Sequence, residues 1–118
     1  MKQQAKEKPE INLLDLVPVR NIKWKKGKDQ LTVLLKPKLK YPFFTKYILP
    51  RLKNPYYKVR LDPVGTFLWE LCDGSRTVRE MGEMLQDEFG EKIEPLYDRL
   101  AQFLQSLEKS RFIVYKGI

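Results

Sequence analysis

The residue types that perform chemistry are scarce in this chain. Histidine is absent and cysteine occurs once, at Cys72. Without imidazole there is no Ser-His or Cys-His nucleophile pair and no histidine-based zinc site. One thiol holds neither an iron–sulfur cluster nor a thiolate zinc centre, and it cannot close an internal disulfide. The glycines at 27, 65, 74, 82, 90 and 117 stand singly, so no Gly-rich phosphate loop is present. No pair of carboxylates stands out for acid–base work. No catalytic residue, metal ligand or cofactor is therefore assigned, and the chain is read as a binding module rather than an enzyme.

Charge is the chemistry that remains. The formal net charge is +8, and it is unevenly divided. Residues 1–60 carry 16 Lys and Arg against 4 Asp and Glu, a net of +12, whereas residues 61–118 carry 7 against 11, a net of −4. The basic surplus in the first half is either a solubilising face with a tail or a surface for an anionic partner.

The elements that must position these groups follow from periodicity. A chain of 118 residues with 42% hydrophobic content has room for one domain and one modest core. No apolar run approaches the roughly 18 residues of a membrane span. The opening MKQQAKEKPE lacks the apolar stretch of a signal peptide, and the expected location is cytoplasmic. Residues 1–18 are expected to form a flexible N-terminal tail; within them the apolar INLLDLV (Ile11–Val17) packs either on the domain or on a partner. Val19–Lys25, with Ile22 and Trp24 on one side, reads as a strand. Lys26–Asp29 turns the chain, and Leu31–Leu35 returns it as the second strand of a hairpin. Prolines at 42, 50 and 55 forbid one long helix in the connection 36–55. Phe43, Phe44, Tyr47 and Ile48 recur at helical spacing and predict a short helix over Phe43–Leu49. This aromatic insert, Tyr41–Leu52, is open to three readings: a flap on the core, a basic-aromatic patch at a membrane surface, or a partner-docking arm. Tyr56–Leu61 alternates β-forming residues and reads as the third strand.

Beyond Leu61 the signals are helical. Asp62-Pro63 is an N-cap followed by proline at the first helical position. Val64, Phe67, Leu68 and Leu71 then mark one helix face. Thr77-Val78-Arg79-Glu80 fits a capping box, after which Val78, Met81, Leu85 and Phe89 form a second stripe closed by Gly90. A third helix is predicted from Ile93 to Lys109, and Arg111–Tyr115 reads as a short strand or wing. Trp69 and Cys72 fall in or near the first helix's apolar face and are read as core. The fold class is α+β and winged-helix-like: an N-terminal three-stranded antiparallel sheet followed by a three-helix bundle, over residues 19–118.

The segment VRLDPVGTFLWELCDGSRTV (Val59–Val78), with Phe103-Leu104, Leu107 and Arg111-Phe112-Ile113 further on, resembles the PqqD family. The pattern joins cap, core and turn positions in fixed register over nearly half the chain; the residues up to Pro18 and the long connection 36–55 depart from it. The resemblance implies a RiPP recognition element, a peptide chaperone that holds the leader of a ribosomally made precursor peptide and presents it to a modifying enzyme, typically a radical SAM enzyme. It implies that the leader adds as a strand along Tyr56, Tyr57, Lys58, Val59 and Arg60, in a groove lined by Tyr97, Leu100, Ala101 and Leu104. An exposed strand edge supports this mode through unpaired backbone groups. Lys58 and Arg60 either complement an acidic peptide or merely keep the edge from aggregating. The alternative reading is a winged-helix nucleic-acid-binding protein. It requires a basic third helix, but residues 94–109 place Arg99 and Lys109 against Glu94, Asp98 and Glu108, a net of −1, so no specific nucleic acid is expected. Both monomer and dimer remain open.

Overall fold

The computed structural model describes residues 12–38 and 46–117. Along them run β1 (Pro18–Arg20), β2 (Lys23–Lys26), β3 (Thr32–Pro37), β4 (Tyr56–Arg60), α1 (Pro63–Leu71), α2 (Val78–Phe89), α3 (Leu96–Lys109) and β5 (Ile113–Tyr115). The strands β2, β3 and β4 form an antiparallel sheet in that spatial order, and β1 pairs antiparallel with β5. The architecture is therefore mixed α+β, with a three-stranded sheet preceding three helices.

Period-two alternation sets the two faces of the sheet. Trp24, Leu34 and Val59 stand side by side across the three strands. Leu34 on this inner face is fully buried, and Trp24 meets Trp69 of α1 edge-on with ring centroids 6.4 Å apart. The opposite, outer face carries Lys25, Val33 and Arg60 in one row, with Lys23, Leu35 and Lys58 in the next. One buried cluster joins Leu34 to Leu68, Trp69, Met81, Leu85, Leu100, Leu104 and Ile113, so sheet and helices share a core. Burying each such side chain stabilises by about 1.5–3 kcal/mol, which fixes the sheet's face on the helices.

The helix starts follow the local chemistry. Gly65 N–H donates to Asp62 Oδ1 at 2.7 Å, capping α1. At α2 the capping box closes in both directions: Glu80 N–H donates to Thr77 Oγ1 at 3.1 Å and Thr77 N–H to Glu80 Oε1 at 2.8 Å. Gly90, at φ +62°, ends α2 in the left-handed region that glycine enters without strain.

Three expectations need correction or completion. Val19–Lys25 is not one strand: Asn21 N–H donates to the carbonyl of Phe112 at 2.8 Å and its side-chain amide to that of Arg111 at 3.1 Å, so the chain turns out of β1 before β2 begins. The third helix starts at Leu96 rather than Ile93, because Pro95 holds Glu94 extended (ψ 141°) and Glu94 Oε1 then accepts from Leu96 N–H. Ile93 is nevertheless buried, in a 3-10 turn, so its apolar character serves the core. The helix expected over Phe43–Leu49 lies partly outside the described residues; within them Lys46 and Tyr47 are helical and Leu49–Arg51 forms a 3-10 turn.

Residues 12–17 are seated on the domain. Leu13–Asp15 makes a 3-10 turn whose leucines pack against the core. Val78 N–H donates to Leu16 O at 2.9 Å, and Arg79 pairs with Asp15 at 3.0 Å. Among the described residues no helix is long and apolar enough to cross a membrane.

Candidate functional site

The outermost strand β4 brings Tyr56, Tyr57, Lys58, Val59 and Arg60 into one edge, paired with β3 on one side only among the described residues. The register says which backbone groups that leaves open. Leu61 N–H donates to Thr32 O and Lys38 N–H to Pro55 O, so these opposed residues are hydrogen-bonded pairs. Antiparallel ladders alternate bonded and non-bonded pairs. Tyr57 and Val59 therefore direct their N–H and C=O groups at β3, while Tyr56, Lys58 and Arg60 direct theirs away from the sheet. Such a row accepts another extended chain.

The side chains on that edge divide by face. Tyr57 (57% exposed) and Val59 (37%) lie on the inner face, with Lys38 Nζ 5.4 Å from the Tyr57 ring centroid. Tyr56, Lys58 and Arg60 lie on the outer face. There Lys58 and Arg60 join Lys25 and Lys28 around a hollow of about 470 Å³, with the β2–β3 turn as one wall. The Arg60 guanidinium reaches across β3: a Cβ placed on Gly27 would stand 3.7 Å from its Nη1. Ion pairs among the described residues are Lys26–Glu70, Arg76–Asp73 and Arg79–Asp15, and none involves these four cations. The carboxylate in the hollow, Asp29, accepts Leu31 N–H at 3.0 Å within the turn. At the other end of β4, Lys23 Nζ donates to the Tyr56 hydroxyl at 3.4 Å. Leu49 is buried there and borders a hollow of about 410 Å³ with Leu35, Pro37 and Tyr56.

The four α3 positions named from the sequence do not share one hollow. A hollow of about 360 Å³ opens just past the end of β4, between the start of α1 (Asp62, Val64, Gly65) and Arg99, Leu100, Gln102, Phe103 and Ser106 of α3. Of the four α3 positions named from the sequence, Leu100 borders it. Leu104 is fully buried in the core. Tyr97 lies over Gly82 of α2, where a Cβ would meet its Cε1 at 2.9 Å, and it borders a separate hollow with Gln86 and Pro95. Ala101 is half-buried and lines neither hollow. At 100° per residue, Tyr97 and Ala101 flank the apolar stripe on one side and Arg99, Phe103 and Ser106 on the other. The stripe was readable as core; which flank lines the hollow depends on how α1 crosses α3, which periodicity does not encode.

The single thiol is held inert. Cys72 is fully buried, its Sγ donates to Leu68 O at 3.3 Å, and burial pushes its pKa up to about 12 against a smaller opposing pull from Arg20. A thiol so raised is protonated at neutral pH and is not a nucleophile. Among the described residues no cluster of His, Cys, Asp and Glu is arranged to hold a metal ion.

No curated protein and no solved structure matches this chain. A family model does match, that of coenzyme PQQ synthesis protein D (PqqD), over residues 48–113. The match takes in β4, all three helices and the beginning of β5, hence both the open edge and the α1–α3 hollow. Since these residues make up more than half of the sequence, the chain belongs to the PqqD family.

Proposed function

We propose that this protein is a peptide-holding module without catalytic activity of its own, which takes the extended leader of a ribosomally made precursor peptide as an added strand on β4 and presents the rest to a modifying enzyme of the radical SAM type. The observation that carries this reading is the row of outward-facing backbone groups at Tyr56, Lys58 and Arg60. An added strand gains main-chain hydrogen bonds that depend little on sequence, and side-chain pockets supply selectivity. Phe103, half-buried in the hollow past the end of β4 with the buried Leu100 beneath it, is the proposed apolar contact, with Arg99 at the rim. The PqqD family, whose members act as accessory chaperones in peptide modification, supports the same reading. In this view the domain is winged-helix-like, works in the cytoplasm, and takes in the seated residues 12–18 together with 19–118, with the stretch between β3 and β4 as an inserted connection.

The test is a titration of isotope-labelled protein with the leader segments of short peptides encoded beside its gene. A cognate leader is expected to shift the amides of Tyr56–Leu61 and of the Arg99–Ser106 flank of α3. Saturating leaders that leave β4 unmoved would remove the proposal's main support.

A further inference from the structure

We propose that segment 46–53, in the connection between β3 and β4, seats the domain on the surface of a bilayer rich in anionic lipid. Ile48 and Leu52 then lie at the acyl boundary, and Lys46, Arg51 and Lys53 among the headgroup phosphates. The proposal goes beyond strand addition on β4 and does not depend on it.

Charge sets this part of the chain apart. Residues 30–61 hold eight Lys and Arg and no Asp or Glu. Within segment 46–53 the buried Leu49 is the anchor, bordering a hollow with Ile22, Leu35, Pro37, Tyr56 and Phe112. Its neighbours face outward. Tyr47 is 55% exposed, Ile48 37% and Leu52 36%, and Lys46, Arg51 and Lys53 are exposed beside them. Lys46 Nζ stands 5.6 Å from the Tyr47 ring centroid. Arg51 N–H donates to Ile48 O at 2.9 Å and Leu52 N–H to Leu49 O at 3.0 Å, so a 3-10 turn holds this display in place. The three cations enter no ion pair among the described residues.

Apolar side chains and cations interleaved residue by residue narrow the partner. A nucleic-acid backbone offers phosphate but rewards no exposed Ile or Leu. The core of a protein–protein interface is apolar and depleted in lysine, with charge kept to the rim. A bilayer surface offers anionic phosphate immediately above hydrocarbon, so both kinds of side chain gain at once. Tyrosine is favoured at that depth. The stems of lysine and arginine lie along apolar surface while their heads stay in water. The segment is far too short to span, so the contact is peripheral and reversible.

Flotation of the full chain with large unilamellar vesicles at about 100 mM salt tests this. One set is phosphatidylcholine alone, the other phosphatidylcholine with about one third phosphatidylglycerol. Binding to the second is expected, and binding at least about tenfold weaker to the first. K46Q/R51Q/K53Q removes three cations, each worth about fivefold near an anionic surface, and should weaken binding about a hundredfold. I48S/L52S keeps every charge and should weaken it about tenfold. K92Q/K109Q, which neutralises exposed lysines elsewhere, should bind as the parent does. Circular dichroism checks that each variant is folded, and the charge variant decides alone where I48S/L52S is not. Absence of binding to the anionic vesicles, or an equal loss in K92Q/K109Q, overturns the proposal. Full binding by a folded I48S/L52S overturns it too; if soluble polyglutamate then binds as tightly, the patch belongs to an acidic protein surface instead. Leader binding at β4 is read separately by its amide shifts, so either reading can fail without the other.

Discussion

Gly65 stands where three elements converge. A Cβ there would lie 3.1 Å from Asp62 Oδ1, 3.2 Å from Leu61 Cβ and 3.2 Å from Phe103 Cε1. The first contact is the α1 cap, the second is the residue after β4, and the third is the α3 flank that borders the hollow. Alanine would ordinarily help a helix by about 1 kcal/mol over glycine. Here it must displace the cap or Phe103, and overpacking of that kind costs about 1–3 kcal/mol. Gly65→Ala is therefore expected to lower stability by about 1 kcal/mol net in urea denaturation. The cost should shrink when Phe103 is shortened to Leu, since that change relieves one of the three contacts. A stabilised Gly65→Ala protein would show that β4, α1 and α3 do not approach as closely as described.

At the scale of the element, β4 predicts an alternation that can be read without any ligand. The N–H groups of Tyr57, Val59 and Leu61 point at β3 and should exchange slowly with solvent, while those of Tyr56, Lys58 and Arg60 should exchange quickly. Hydrogen exchange followed by NMR checks this, and a bound strand should slow the fast set selectively. Uniform protection along β4 would mean that its edge is already covered. The strand itself was legible in YYKVR, as were α1 and α2 in Asp62-Pro63 and the Thr77–Glu80 box, because those signals are local. The break between β1 and β2 was not. It is made by Asn21 bonding to Arg111 and Phe112, some 90 residues away, and β1 finds its partner in β5 at the far end of the domain. The start of α3 was misjudged because Ile93 obeys the helical period while lying in a 3-10 turn: burial, not helicity, set its type. The candidate site divides the same way, with an edge readable from local pattern and a hollow decided by packing between helices.

Over the whole molecule the two halves of the sequence become two surfaces of unlike charge. The outer face of the sheet displays Lys23, Lys25, Lys28, Lys58 and Arg60, whereas α2 displays the exposed Glu80, Glu83, Asp87 and Glu88. Bulk charge alone invited a nucleic-acid reading, and the fold shows what that charge could do. The cations lie on strands and a turn, and α3 balances Arg99 and Lys109 against Asp98 and Glu108. A duplex drawn to the outer face of the sheet would meet these five cations among the described residues, giving a salt slope of about −4.5. Raising salt from 50 to 150 mM should then weaken binding by about a hundredfold, leaving a Kd of tens of micromolar or worse, without regard to sequence. Fluorescence anisotropy with two unrelated duplexes at both salt concentrations measures this directly. A nanomolar complex at 150 mM that distinguished the duplexes, or amide shifts along α3 on adding DNA, would overturn the assignment of the basic face to a peptide. An acidic peptide docked along β4 depends on far fewer charge pairs and on salt-insensitive backbone bonds, so over the same range its Kd should change only a fewfold.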